Sequence, residues 1–234
     1  MEQKIRAVIF DMYETLVTQL RSPLYYGTQI AGDFGLRPEE FLPGWRETEE
    51  SRTVGKLTFE EVIEMLLHRH GIFTPELHHR VIEKRMTAQS ECFLRLHPQI
   101  LPMLNALKEA GLKIGLITNC FSEEADLIRN SVLFPYFDAP CISWELGVKK
   151  PDPMIFEICL KKLDLPAENC LYVGDGGSQE LETATRLGMQ AVQATWYRQE
   201  RFEHCHAALR PEFRQISEPM EIVYEAQVAR EGTF

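Results

Sequence analysis

Short apolar, β-rich runs recur along the chain, and each is followed by a loop and then by apolar positions at helical spacing. The runs are Ile5–Phe10, Leu112–Thr118, Cys170–Gly174 and Met189–Ala194, with a fainter one at Pro140–Ser143. Between them, Ile100, Leu104 and Leu107 lead to Gly111 as a helix stop; Ile155, Cys159 and Leu163 mark a second helix, and Leu181, Ala184 and Leu187 a third ended by Gly188. Ser122 followed by Glu123 and Glu124 reads as an N-cap with acids in the first turn. Strands alternating with helices predict an α/β fold: a Rossmann-like open parallel sheet with helices on both faces, whose ligands bind beyond the carboxyl ends of the strands.

Residues 17–97 break this rhythm. They hold no convincing strand, but Phe59, Val62, Ile63 and Leu66 form an amphipathic helix entered through the capping box Thr58–Glu61 and stopped near Gly71. A further helix is expected over Leu77–Phe93. The expected organisation is therefore a core of residues 1–16 and 98–234 interrupted by an inserted α-helical cap, residues 17–97. The tail beyond Arg198 is mixed in character, with Ile216 closing a candidate edge strand and Glu218–Ala229 a candidate final helix.

Composition narrows the function classes. The chain has 234 residues, 44% of them apolar, and a net charge of −10. That charge argues against sequence-independent binding to nucleic acid or anionic membranes, yet permits a small anionic substrate in a locally positive pocket. No apolar run approaches the roughly 18 residues of a membrane span. The N-terminus lacks the pattern of a signal peptide, and the six cysteines contain no CxxC pair, with Cys159 and Cys170 among apolar neighbours. A cytoplasmic protein, monomeric or homodimeric, is the expectation.

Candidate chemistry collects just past the strand ends: Asp11, Thr118-Asn119, Lys150 in "LGVKKPDP", Asp175 at the end of "CLYVGD", and Glu180. On a parallel sheet all of these converge on one edge. A carboxylate can act as a nucleophile when nearby negative charge is offset. Asp11 and Asp175 brought together would repel, and a divalent cation such as Mg²⁺ removes the repulsion. Thr118 offers a hydroxyl and Lys150 a positive charge to the oxygens of a transferring phosphoryl group.

In order along the chain, "FDMYETL", "LITN", "GVKKPDP" and "VGDGGSQE" resemble the four motifs of the haloacid dehalogenase superfamily, and the helical insert resembles its cap. The resemblance covers the chain to about residue 195. It implies Asp11 as a nucleophile forming an aspartyl intermediate, with the Tyr13 carbonyl, Asp175 and Glu180 joining Asp11 around Mg²⁺. It also implies that Thr118 and Asn119 bind the transferred group and that Lys150, rather than Lys149, steadies Asp11. Thr15, and Arg46 in the cap, are further candidates for binding substrate. Arg46 stands where related dehalogenases bind the anionic end of their substrate, and a surface salt bridge is its competing role; Arg52 is a comparable candidate.

Two motifs pull apart. Phosphatases of the superfamily commonly carry Asp two residues after the nucleophile as general acid, and here that residue is Tyr13. A phenol with a pKa near 10 is a poor proton shuttle at neutral pH, and losing an acid catalyst costs on the order of 10²–10⁴ in rate. Dehalogenases often carry Tyr there, because halide leaves without a proton. Those metal-free enzymes, however, generally lack the Gly-Asp pair that Gly174 and Asp175 supply. The expected activity is a Mg²⁺-dependent phosphohydrolase acting on a small phosphorylated metabolite. The alternatives are a 2-haloacid dehalogenase and a non-catalytic binding protein. Cys120 reads as a small residue filling the loop, His68, His70, His78 and His79 as helix-end decoration, and His204-Cys205-His206 as solvated tail.

Overall fold

The chain is described from a computed structural model covering residues 5–231. Six strands, β1 (Ala7–Phe10), β2 (Lys113–Thr118), β3 (Ala139–Ile142), β4 (Cys170–Gly174), β5 (Gln190–Ala194) and β6 (Arg214–Ile216), form one sheet in the order β3-β2-β1-β4-β5-β6. Every pairing is parallel. The fainter run near Pro140 is thus a full strand, and Ile216 does close an edge strand.

Parallel strands buried on both faces explain the continuous apolar runs. On one face Val8, Phe10, Ile114 and Leu116 pack under α6 (Ile100–Glu109), α7 (Ser122–Arg129) and α11 (Glu221–Glu231). On the other, Ala7, Ile9, Ile117 and Tyr172 pack under α9 (Pro153–Leu163) and α10 (Glu180–Arg186). One further helix of a single turn, α8 (Ser143–Leu146), follows β3. No described helix is long and apolar enough to cross a membrane.

Between β1 and β2 run α1 (Gly27–Asp33), α2 (Pro38–Glu47), α3 (Glu49–Thr53), α4 (Phe59–Arg69) and α5 (Pro75–Leu94), with no named strand among the described residues. This insert has its own core, in which Phe34, Phe41, Phe59, Ile63, Leu67 and Val81 are buried together. The expected capping box opens α4: the Thr58 hydroxyl accepts from Glu61 N at 3.2 Å, and the Glu61 carboxylate accepts from Thr58 N at 2.7 Å.

Ser122 departs from expectation. The N-cap of α7 is Phe121, whose N–H donates to the Glu124 carboxylate at 3.0 Å, while the Ser122 hydroxyl accepts from Phe59 N across the insert at 2.9 Å. Glu123 and Glu124 do more than complement the helix dipole. Arg85 of α5 is 1% exposed, and donates to Glu123 at 3.0 Å, to Glu124 at 2.8 Å and to the Tyr25 carbonyl at 2.9 Å. Burial alone would lower the Arg85 pKa, but Glu124 and Glu123 hold it above its ordinary value. Burial pushes Glu123 up to about 7 against the pull of Arg85, since two carboxylates share one guanidinium. This ion cluster ties the insert to the sheet body.

The tail also departs from a solvated reading. Its helix starts at Glu221, and Trp196 and Tyr197 are buried, donating to the carbonyls of Thr15 at 2.8 Å and Leu16 at 3.1 Å. The His206 side chain is 3% exposed; its Nε2 accepts from Gln199 N at 3.1 Å, and Nδ1 lies 3.9 Å from Glu14. His204 and Cys205 are exposed as expected, and the other five cysteines are buried thiols.

Removing one member of a buried ion cluster leaves uncompensated charge, which costs about 3–5 kcal/mol. Arg85→Met is therefore expected to lose stability of that order in denaturant unfolding at pH 8, with a smaller loss at pH 5, where Glu123 holds a proton. An equal loss at both pH values would refute the charge argument.

Candidate active site

β1 delivers Asp11 to the carboxyl edge of the sheet, where its N–H donates to the Val173 carbonyl of β4 at 2.9 Å. The chain then folds back on itself, with Leu16 N and Val17 N both donating to the Met12 carbonyl. This turn places Glu14 at φ 57°, in the left-handed region that costs a non-glycine residue roughly 1–2 kcal/mol. Its carboxylate is held by the Thr18 hydroxyl at 2.7 Å and by Gln19 N at 3.0 Å. Burial pushes Glu14 up to about 7, those hydrogen bonds opposing and the charges of Asp175 and Asp11 adding to the rise.

Lys150 is the centre of the arrangement. Its ammonium, 4% exposed as a residue, donates to Asp11 Oδ1 at 2.5 Å and to Glu180 Oε2 at 2.6 Å. Burial would lower its pKa, but the two carboxylates raise it above the ordinary lysine value. Lys149 lines the cleft described below and pairs with Glu50 at 2.5 Å. Asn119 sets the backbone position of Lys150: its Oδ1 accepts from Lys150 N at 2.8 Å and its Nδ2 donates to the Lys150 carbonyl at 3.0 Å. Asn119 also lines the cleft described below.

Glu180 is fully buried. Besides Lys150 it accepts from the Tyr172 hydroxyl at 2.9 Å and from Gly176 N at 3.1 Å, and burial pushes it up to about 8 with Lys150 opposing. Gly174 makes room for it, because a Cβ there would lie 2.1 Å from Glu180 Oε1. Asp175 accepts from Gly177 N at 2.9 Å, and its carbonyl accepts from Gln193 Nε2 at 2.8 Å. Burial, and then the charge of Asp11, push Asp175 up to about 6. One carboxylate oxygen each from Asp11, Asp175 and Glu180 lie within 4.8 Å of one another. Three carboxylates thus face one ammonium. This surplus of hard oxygen donors and negative charge fits a small divalent cation.

The hydroxyls of Tyr13 and Thr15, in the turn after Asp11, and of Thr118, at the end of β2, are buried with no hydrogen-bond partner among the described residues. Buried donors are almost always satisfied, so Thr15 and Thr118, both close in the chain to the carboxyl edge, are donors open to a ligand. Burial drives the Tyr13 phenol well above its usual pKa, with Glu124 next in effect, so it can donate a hydrogen bond but holds its proton. Burial likewise pushes the Cys120 thiol well up, which makes it an inert filler of the loop.

A cleft of about 480 Å³ opens between the sheet edge and the insert. Tyr13, Asn119, Lys150 and Ser178 line it from one side, and Tyr26, Glu49 and Thr53 from the insert. Arg46 does not line it and is exposed on α2. Arg52 is buried, its guanidinium 3.7 Å from the Trp45 ring centroid and 4.1 Å from that of Phe121. A larger cavity, about 710 Å³, lies beside Tyr25, Arg80 and Lys84 on the insert, and no candidate residue lines it. His68, His70, His78 and His79 are at most half-buried on the insert and line no part of the cleft.

Tyr172, Gln193, Trp196 and Tyr197 were not among the residues singled out from sequence. A hydroxyl inside the apolar run "CLYVG" was the available signal, since a buried tyrosine needs a partner.

The sequence pattern of the haloacid dehalogenase-like hydrolases matches residues 5–188. A glyceraldehyde 3-phosphate phosphatase of Methanopyrus kandleri is 28% identical over 201 residues, covering 81% of this chain and 83% of that protein. An (S)-2-haloacid dehalogenase of Pseudomonas putida is 27% identical over 186 residues, covering 73% of this chain and 76% of that one. The crystal structure of a HAD phosphatase from Thermococcus onnurineus superposes with a TM-score of 0.64 at 19% identity, covering 94% of this chain and 97% of that one. With a family pattern that spans most of the chain and a parallel sheet that gathers all four motifs at one edge, this protein belongs to the haloacid dehalogenase-like hydrolases.

Proposed function

We propose that this hydrolase is a Mg²⁺-dependent phosphohydrolase of small phosphorylated metabolites, working through an aspartyl phosphate on Asp11, with residues 17–97 as its cap. The observation that carries the reading is the surplus of acids at the sheet edge: Asp11, Asp175 and Glu180 lie together, and Lys150 pairs with only Asp11 and Glu180. The phosphatase relative supports it. Asp11, Asp175 and the Tyr13 carbonyl would hold the cation. Glu180, whose oxygens already accept from Lys150, Tyr172 and Gly176 N, would reach it through water. Mg²⁺ bound there supplies charge neutralisation between the acids and the phosphoryl oxygens.

In this reading Asp11 attacks phosphorus with the oxygen that Lys150 leaves free. The bond from phosphorus to the leaving oxygen breaks, and the departing alkoxide takes its proton from solvent. Thr15, Thr118 and Asn119 donate to the transferring group. Water then attacks the aspartyl phosphate at phosphorus, releasing inorganic phosphate and restoring Asp11. Neither half-reaction has a proton shuttle at Tyr13.

The second reading, 2-haloacid dehalogenation, is favoured by Tyr13 and by the dehalogenase relative. Against it stands Asp175, whose like charge beside Asp11 is a burden in any site that works without a cation. Exposed Arg46 gives that reading no anion clamp in the cleft.

Esters with good leaving groups should therefore be favoured: p-nitrophenyl phosphate is expected to turn over on the order of 10²-fold faster than alkyl phosphates. EDTA and Asp11→Asn should each abolish turnover. Turnover that survives EDTA, or that requires a haloacid, would reverse the choice.

Metal linkage gives a second test. Folding raises the Asp175 pKa from 3.8 to about 6, so between those values the folded chain keeps a proton that the unfolded chain has lost. Metal-free stability is therefore expected to fall as pH climbs through that window. Added Mg²⁺ should raise the melting temperature markedly at pH 7.5 and little at pH 4.5. An equal shift at both pH values would place the ion elsewhere.

A further inference from the structure

From the charge on the walls of the cleft we infer that it selects phosphate monoesters whose leaving alcohol is uncharged or carries an ammonium group, and turns away those bearing a second anionic group. This rests on the phosphohydrolase reading above and concerns the half of the cleft that faces the insert. The phosphoryl end is fixed by Asp11 and Lys150, so the leaving group extends toward Tyr13, Tyr26, Phe121, Glu49 and Glu124.

Among the described residues, no cation on that wall is without a carboxylate partner. Arg85 lies behind Glu124, and its three donating nitrogens already serve Glu123, Glu124 and the Tyr25 carbonyl. Arg52, 1% exposed, is closed off between the Trp45 and Phe121 rings and does not line the cleft. Lys149 lines the cleft, but its charge is offset by Glu50, as that of Lys150 is by Asp11 and Glu180.

The acids are distributed differently. Glu124 accepts from Arg85, from Gln19 Nε2 at 3.3 Å and from Phe121 N, so its charge is fixed and spoken for. Glu49, at the start of α3, is exposed and its carboxylate makes no ion pair among the described residues. The buried charges on this side, Arg52 and Arg85 against Glu123 and Glu124, cancel. Glu49 remains as the net charge that a leaving group meets.

The aromatic surface fits the same selection. The Tyr13, Tyr26 and Phe121 rings line the cleft with apolar surface for a carbon chain, Tyr26 and Phe121 already stacking the Arg85 and Arg52 guanidiniums. Glu49 is a specificity-determining residue, and it acts on the part of the substrate that departs.

The test compares three esters of similar size at pH 7.5 with Mg²⁺: O-phosphoethanolamine, glycerol phosphate and phosphoglycolate. Like charges about 6 Å apart, at an effective dielectric between those of protein surface and water, differ by roughly tenfold in occupancy. Phosphoglycolate is therefore expected to show kcat/KM at least about tenfold below the other two. Glu49→Lys should raise the ratio of phosphoglycolate to glycerol phosphate turnover by at least about tenfold. Phosphoglycolate as the best or an equal substrate, or a ratio unmoved by Glu49→Lys, overturns the inference. Dissociation constants of the three esters, measured by calorimetry on Asp11→Asn, separate the two levels of the claim. If the wild type hydrolyses none of the three, nor p-nitrophenyl phosphate, the phosphohydrolase reading fails. The inference then stands only if phosphoglycolate still binds weakest, and a flat or reversed order, or no binding, overturns it.

Discussion

The Lys150 ammonium, sealed between Asp11 and Glu180, is the interaction on which the rest of the sheet edge depends. A lone charge at that depth would be expelled or neutralised, and a buried pair survives only when geometry and extra hydrogen bonds offset lost hydration. Each neighbouring feature serves that condition. β1 and β4 are adjacent, so Asp11 and the Asp175 loop emerge side by side. Gly174 gives Glu180 the space to lie under the strand end, and Tyr172 donates to it from below. Asn119 grips the peptide of Lys150 from both sides. The ammonium pairs with two of the three carboxylates gathered there, and Asp175 makes no ion pair among the described residues.

The alternation of strands and helices, the parallel sheet and the four motif loops were legible because each rests on local sequence: apolar runs of strand length, helical spacing, and acids or glycines where runs end. Long-range pairings were not legible. Nothing near Ser122 announces that Phe59, 63 residues earlier in the chain, will claim its hydroxyl. Nothing near Glu123 or Glu124 reveals that Arg85 will bury itself between them. Only the neighbouring proline separates Lys149 from Lys150 in the sequence, whereas in three dimensions Lys149 pairs with Glu50 of the insert and Lys150 with Asp11 and Glu180. The choice of Arg46 over Arg52 followed the sequence of related enzymes, and neither residue reaches the cleft. The spacing of His206 fits no ligand pattern and suggests a solvated tail, yet its side chain is buried because the tail folds back over the turn that follows Asp11.

Tyr13 links the two halves of the molecule. Its backbone belongs to the nucleophile turn, while its side chain faces the cleft under the insert, close enough to Glu124 and Cys120 for their charge to bear on its phenol. The cleft it lines is walled by both halves, with Gln19, Tyr26, Glu49 and Thr53 coming from the insert and the rest from the sheet body.

The family pattern stops at residue 188, yet Gln193, Trp196 and Tyr197 beyond it hold the carbonyls of Asp175, Thr15 and Leu16. Three side chains outside every motif thus anchor the backbone of both acid-bearing loops, and the relative placement of Asp11 and Asp175 rests in part on a segment that carries neither.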